Sequence, residues 1–233
     1  MRRRALACAL VVLTSSAGVA AQPAISPGDP LLTPGANVAS NDTASAVGHN
    51  PANLPFLPDP ELRWTFTHTG DSAPYPVRGH AIDLASSFFF LGTGLRVELA
   101  SPPSAAPLPF VDDYQWVRWG AGARIGDWLA FGTQLAWSIS SSPMLDGQFG
   151  MSVAGTLRPW EWMCMSAVLR DFNVPVSRDD RTTSDRIWEA GVAFRPVAGK
   201  RDLELGLEGR YFDAQDHGTA KATLGLDLPM VGR

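Results

Sequence analysis

The chain has 233 residues, with 19 Lys and Arg against 23 Asp and Glu for a net charge of −4. No basic run is present, which argues against nucleic acid as a partner. Hydrophobic residues make up 45%, and the only continuous apolar run, Ala5 to Leu13, is too short for a spanning helix, which argues against a helical membrane protein.

That run follows Arg2, Arg3 and Arg4 and leads through small residues to Val19-Ala20-Ala21. A basic start, a short apolar core and a small-residue end describe a secretory signal peptide over residues 1–21, cut before Gln22. The Arg run matches a twin-arginine signal only weakly. No apolar segment precedes Cys8, so a lipid anchor is set aside. Without the leader, Cys164 is the single cysteine, which permits no intramolecular disulfide and no zinc site. Its strand parity is the polar one, where a small inert filler is expected. Export without a spanning helix leaves periplasmic, secreted or outer-membrane fates.

Residues 22–60 read as an extended N-terminal segment. Gln22 to Ser40 is rich in Pro, Gly and small residues. Asn41 or Asp42 is expected to cap one helical turn over Thr43 to Val47, which Asn50-Pro51 ends. This short knot would plug a barrel mouth or pack beneath it.

Residues 61–233 alternate with a period of two. Leu62, Trp64 and Phe66 alternate with Arg63, Thr65 and Thr67. Ile82 and Leu84 alternate with Ala81, Asp83 and Ala85. Leu95, Val97 and Leu99 alternate with Gly94, Arg96 and Glu98. Later stretches around Met151, Met165, Val192, Leu205 and Leu226 repeat the pattern, for about ten strands. The longest run is Tyr114 to Ser140. Val117, Trp119, Ala121, Ala123 and Ile125, then Leu129, Phe131, Leu135, Trp137 and Ile139, share one parity. Arg118, Gly120, Gly122 and Arg124, then Ala130, Gly132, Gln134 and Ser138, share the other. Gly126-Asp127 marks the turn. An odd, three-residue connection keeps the faces matched, pairing Arg124 with Trp128 and Ala123 with Leu129, with a bulge at Gly126. Strands of about twelve residues exceed the usual five or six and suffice for a tilted bilayer crossing. Tyr114, Trp116, Trp119 and Trp128 suggest aromatic girdles.

Connections alternate too. Long polar ones are expected at Gly70–Arg78, Ser101–Asp113, Ser141–Gly147, Asn173–Asp185 and Asp213–Gly218, and short ones near Ser87–Phe89, Gly126-Asp127, Pro159–Glu161 and Val197–Arg201. Outer-membrane barrels are built this way, with long loops outside and both termini in the periplasm. The expected fold is therefore all-β, an antiparallel up-and-down transmembrane β-barrel of about ten strands, closed or part of a larger barrel. Closure would pair Leu62–Thr69 with Thr219–Leu228. Arg at the lipid midplane costs roughly 2–4 kcal/mol, so Arg96, Glu98, Arg118, Arg124, Glu204, Glu208 and Arg210 are assigned to the lumen. Glycines on that parity suggest a narrow or partly filled interior. A soluble lipocalin-like barrel or sandwich would instead turn its Leu and Trp face inward.

Catalytic motifs are missing: there is no Gly-x-Ser-x-Gly, His-Glu-x-x-His or Walker loop. Gly120 to Gly126 superficially resembles a phosphate loop but lies within a strand. His49, His68, His80 and His217 lack ligand spacing and are read as interfacial or solvated. Asp112-Asp113 and Asp179-Asp180 are read as solvated loop acids rather than calcium ligands. Asn41-Asp42-Thr43 matches a glycosylation triplet by accident. Neither metal nor cofactor is expected, and the protein is read as no enzyme.

One stretch carries a resemblance. Asp42, Ala44, Ser45 and Ala46 leading into Asn50, Pro51, Ala52, Asn53 and Leu54 resembles the segment before the first strand in FadL-like outer-membrane proteins, the long-chain fatty-acid transporter class. Asn53 stands where that family usually has Gly, and Asn also tolerates positive φ. The resemblance implies a porin-like channel or a carrier of small hydrophobic molecules in the outer membrane, in contact with outer-membrane lipid. Similar barrels also precede the protease domain in long relatives of signal peptide peptidase A. The ending Leu228-Pro229-Met230-Val231-Gly232-Arg233, without a terminal aromatic, raises the alternative that the chain is the membrane-anchoring front of such a serine protease.

Overall fold

A computed structural model describes residues 26, 28–31, 37–68, 78–101, 112–179, 183–196 and 203–226. The expected leader and the C-terminal 227–233 lie outside the described residues, as does Asp180. Two short helical pieces come first, α1 (Ala46–His49) and the 3₁₀ turn η1 (Pro51–Phe56). Ten strands follow: β1 (Glu61–His68), β2 (Arg78–Phe88), β3 (Leu91–Ala100), β4 (Tyr114–Ile125), β5 (Leu129–Ser140), β6 (Phe149–Trp160), β7 (Met163–Arg170), β8 (Ile187–Phe194), β9 (Leu203–Phe212) and β10 (His217–Leu226). They form one sheet in sequence order, each antiparallel to the next. The all-β, up-and-down, ten-strand expectation holds, and β4, β5 and β6 are each 12 residues long.

The sheet is strongly curled. The Gly28 carbonyl accepts from Arg118 on β4, while the adjacent Asp29 pairs with Arg210 on β9. In a flat sheet those strands lie about 24 Å apart, at about 4.8 Å per step. Neighbouring Cα atoms are only about 3.8 Å apart. The sheet therefore wraps around the N-terminal segment, whose Val38, Ala39, Ala44, Val47, Ala52 and Leu54 are buried inside it. Among the described residues no ladder joins β1 to β10, which stand at the two ends of the strand order.

Glycine makes the close packing possible. A Cβ on Gly92 would collide with the Leu54–Pro55 backbone, and one on Gly132 with the Pro51–Ala52 backbone. On Gly122 it would sit 2.5 Å from the Pro51 carbonyl oxygen. The glycine-rich parity is the floor on which η1 rests.

Several local expectations are corrected. The β4–β5 turn is three residues long, but it is Gly126–Trp128, with Ile125 opposite Leu129 and Arg124 opposite Ala130. A shift by two residues preserves every facing, so the apolar pattern does not distinguish the two registers. Gly126 adopts φ +59 and Arg124 pairs with Asp127 across the turn, which fixes the observed one. The helical turn starts later than expected, with Ser45 at its N-cap and no side-chain cap bond. Asp42 is instead engaged by Arg158, and Asn41 bonds Ser45 and Thr43. Asn53 lies within η1, and the described positive-φ residues are elsewhere. Tyr114 and Trp116 are not girdle residues. They point inward and pack with Leu31 and Leu145. The last loop is shorter than expected: 213–216 is tight, with the Asp216 N–H donating to the Asp213 carbonyl, while the expected short connection Val197–Arg201 lies outside the described residues.

Candidate functional site: a charged interior filled by the N-terminal segment

Three clusters of charge line the interior. In the first, Asp83, Arg96 and Arg118 lie directly opposite one another on β2, β3 and β4. Two arginines in register would repel, and Glu98 resolves this by accepting from Arg96 Nε at 2.5 Å and Arg118 Nε at 3.2 Å. Arg96 also meets Asp83 at 3.2 Å. All four are fully buried. Their remaining capacity holds the N-terminal segment. Arg96 Nη2 donates to the Leu31 carbonyl at 2.7 Å, the Leu31 N–H to Glu98 at 3.1 Å, and Arg118 Nη2 to the Gly28 carbonyl at 2.9 Å.

In the second cluster Glu189 on β8 receives Arg170 at 2.9 Å and Arg210 at 2.7 Å. Arg210 pairs also with Asp29. Arg170 donates to the Gly48 and His49 carbonyls at 2.9 and 3.1 Å, satisfying acceptors that the end of α1 leaves open. The third lies at the short-turn end. Asp42 pairs with Arg158 and, at 3.6 Å, with Arg195, which meets Glu204 at 2.8 Å. The Arg158 guanidinium covers the Phe56 ring at 3.7 Å.

The lumen candidates are thus distributed. Arg96, Glu98, Arg118 and Arg210 join these networks. Glu204 also accepts from Ser40, and Glu208 from the Val38 N–H at 2.9 Å while pairing with Lys221 at 3.3 Å. Arg124 sits at the short-turn rim beside Asp127, half-exposed. Of the N-terminal motif, Asp42 forms the ion pairs above. Asn50 accepts from the Ala52 N–H and donates to the Val38 carbonyl at 2.7 Å. Asn53 accepts from Thr156 at 2.8 Å, and Pro51 opens η1. Asp83, Arg158, Arg170, Glu189 and Arg195 were not singled out, although their parity matched the assigned lumen residues.

Titration follows enclosure. His49 was expected to be interfacial or solvated. It lies in α1 inside the sheet, where burial and then Arg96 and Arg170 hold its imidazole well below the ordinary range. Asp171, just past β7, is buried against Gly28 and Gly150 with φ +51, and its Oδ2 has no hydrogen-bond partner among the described residues. Burial pushes its carboxyl up to about 6. Cys164 is buried, with its thiol 2.6 Å from the Ala39 carbonyl. Among the described residues no three His, Cys, Asp or Glu side chains gather as a metal site.

The outward parity is the reverse. Trp64, Phe131 and Leu205 are 65%, 55% and 46% exposed, whereas Arg96 and Arg118 are 0% exposed. Many outward aromatics lie near the ends of the strands, although Trp64 and Trp119, the latter expected as a girdle residue, are exposed at mid-strand. Phe88, Phe89, Phe90, Trp128, Trp160 and Trp162 ring the short turns, and Phe66, Trp137, Phe149, Trp188 and Tyr211 the long-loop end, all exposed. Trp160 stacks on Trp162 at 5.1 Å. No protein-family model matches the chain, and no curated protein matches it.

Proposed function

We infer that the protein is an integral outer-membrane β-barrel without catalytic activity, acting as a FadL-like carrier of small hydrophobic molecules. The reversed burial carries this reading. A soluble monomer rarely exposes contiguous apolar surface beyond a few hundred Å². Here one face of a ten-strand sheet is largely apolar and exposed, its exposed His68, Arg78, His80 and Gln115 lying toward the long-loop end, while buried arginines are paired inside. In a bilayer that face meets acyl chains, and the two aromatic rings meet the headgroup regions.

A carrier fits better than an open channel. Residues from Val38 to Leu54 fill the interior from β2 to β9, so solute passage requires that segment to shift. Its residues are those of the stretch resembling the transporter class. Purified protein should resist carbonate extraction from outer membranes and migrate faster on electrophoresis when unheated. Reconstituted vesicles should take up an apolar dye while showing little ion conductance. Carbonate-soluble protein with unchanged mobility defeats the membrane reading, and steady large conductance defeats the carrier.

A further inference from the structure

One buried carboxyl lies against the N-terminal segment outside the three charge clusters. Asp171 follows β7 in a turn that is fastened to β6. The Asp171 N–H donates to Ser152 Oγ at 3.2 Å, the Phe172 N–H to the Met151 carbonyl at 2.9 Å and Asn173 Nδ2 to the Phe149 carbonyl at 2.7 Å. Asn173 Oδ1 accepts from the Met151 N–H at 2.8 Å. Asp171 and Val174 both adopt left-handed φ, +51 and +49, and the Val174 N–H closes the turn on the Asp171 carbonyl at 2.9 Å. A β-branched residue keeps that conformation only where its surroundings impose it. The turn therefore holds the carboxyl in place, facing the interior.

The N-terminal segment lies directly on that carboxyl. A Cβ on Gly28 would collide with Asp171 Oδ2, and one on Gly150 with Oδ1. Ser26 to Leu31 crosses the long-loop mouth and is held at four points. Ser26 Oγ accepts from the Asp185 N–H at 3.0 Å, the Gly28 carbonyl accepts from Arg118 at 2.9 Å, Asp29 pairs with Arg210, and Leu31 engages Arg96 and Glu98. Among the described residues it joins no strand ladder. Lifting it uncovers the apolar pocket that Leu31 fills beside Tyr114, Trp116 and Leu145.

The charges facing Asp171 carry both signs. Arg118 on β4 and Arg170 at the end of β7 favour its ionised form, whereas Asp29 in the segment and Glu189 on β8 oppose it. Both arginines are already engaged, Arg118 by Glu98 and Arg170 by Glu189. Gly150 and Ser152 on β6 bring no charge, and Asp185 turns its carboxylate to the Ala214 N–H at 2.8 Å. Enclosure therefore dominates, and burial pushes the carboxyl up to about 6. Once ionised, a buried oxygen without a hydrogen-bond donor is costly, and water reaches Oδ2 when Gly28 moves away. We propose that Ser26 to Leu31 is a lid on the long-loop mouth, latched while the Asp171 carboxyl is protonated and loosened when it ionises. The latch does not depend on what surrounds the outward face.

The test is amide hydrogen exchange on the full chain in mild detergent from pH 4 to 8, each rate divided by the intrinsic rate at that pH. The Leu31 N–H, bonded to Glu98 at 3.1 Å, reports lifting of the lid. A carboxyl that titrates at about 6 under the lid and at 3.8 once exposed raises the opening constant about tenfold between pH 5 and 8, with a plateau above about pH 7. Opening at Leu31 should exceed opening at the β5 amides at least tenfold throughout. Asp171→Asn should make the Leu31 value independent of pH. Where that variant fails to fold, the shape of the wild-type curve decides, because exposure of His49 would instead raise opening toward low pH. A wild-type value that is flat or rises toward low pH, the same rise in Asp171→Asn, or equal opening at Leu31 and β5 overturns the proposal.

Discussion

Arg118 and Lys221 are both cations on the inward parity, yet Arg118 is fully buried and the Lys221 side chain is 43% exposed. The difference lies in what covers them. Beneath β3 to β5 the N-terminal segment packs backbone against strand, and Glu98 is shared between two buried guanidiniums. β10 stands at the end of the strand order, and most of its described residues are exposed. The same alternation thus produces a dense, specified interior on one side and a loosely covered strand on the other.

The comparison is broken most severely at Glu98. Glu98→Ala leaves Arg96 without its 2.5 Å partner and Arg118, among the described residues, with its hydrogen bond to Gly28 and its stacking on Trp116. The expected loss is about 3–5 kcal/mol, read from denaturant unfolding in detergent. Asp171 tests the mouth above that cluster. Its folded pKa is raised from 3.8 to about 6, so the folded state binds the proton more tightly than the unfolded chain. Its contribution is therefore full below about pH 4 and lost as pH rises through about 6, on the order of 2–3 kcal/mol. His49, held below its ordinary range, adds stability in the opposite sense over the same window. The fall is therefore read as the difference in unfolding midpoint between wild type and Asp171→Asn, which should shrink from pH 4 to 7.

Packing gives the next effect. Gly132→Ala drives a methyl into the Pro51–Ala52 backbone and should cost about 1–3 kcal/mol, whereas Gly209→Ala, on the outward face, should not destabilise at all. Smallest is Lys221→Met on β10, where the half-exposed pair with Glu208 is worth less than about 1 kcal/mol. Equal losses at Glu98 and Lys221 would erase the distinction between covered and uncovered strands.

Much of this was legible as parity. Arg96, Glu98 and Arg118 fall on one side of a period-two pattern, and a strand obliges them to share a face. The glycines on that side signalled a filled interior. Which backbone fills it was not legible, because Gly92 meets Leu54 and Gly132 meets Pro51 through contacts distant in sequence. Asp42 misled for the same reason. Its local environment suited a cap, but Arg158 lies 116 residues away. Tyr114 and Trp116 obeyed parity and turned inward, where reading them as girdle aromatics had ignored it. Leu31, which they pack against, carries no signal of that contact. The hairpin register escaped because two alternatives two residues apart bury identical faces.

Depth-resolved quenching addresses the orientation of the two faces most directly. Environment-sensitive fluorophores would be attached at Leu207→Cys on the outward face and Ser152→Cys on the inward face, each in a Cys164→Ser background, with the protein refolded into vesicles. Quenchers carried on lipid tails should extinguish the label at 207 and spare the label at 152. Protection of 207 from lipid-borne quenchers, with ready quenching by aqueous iodide, would contradict the account.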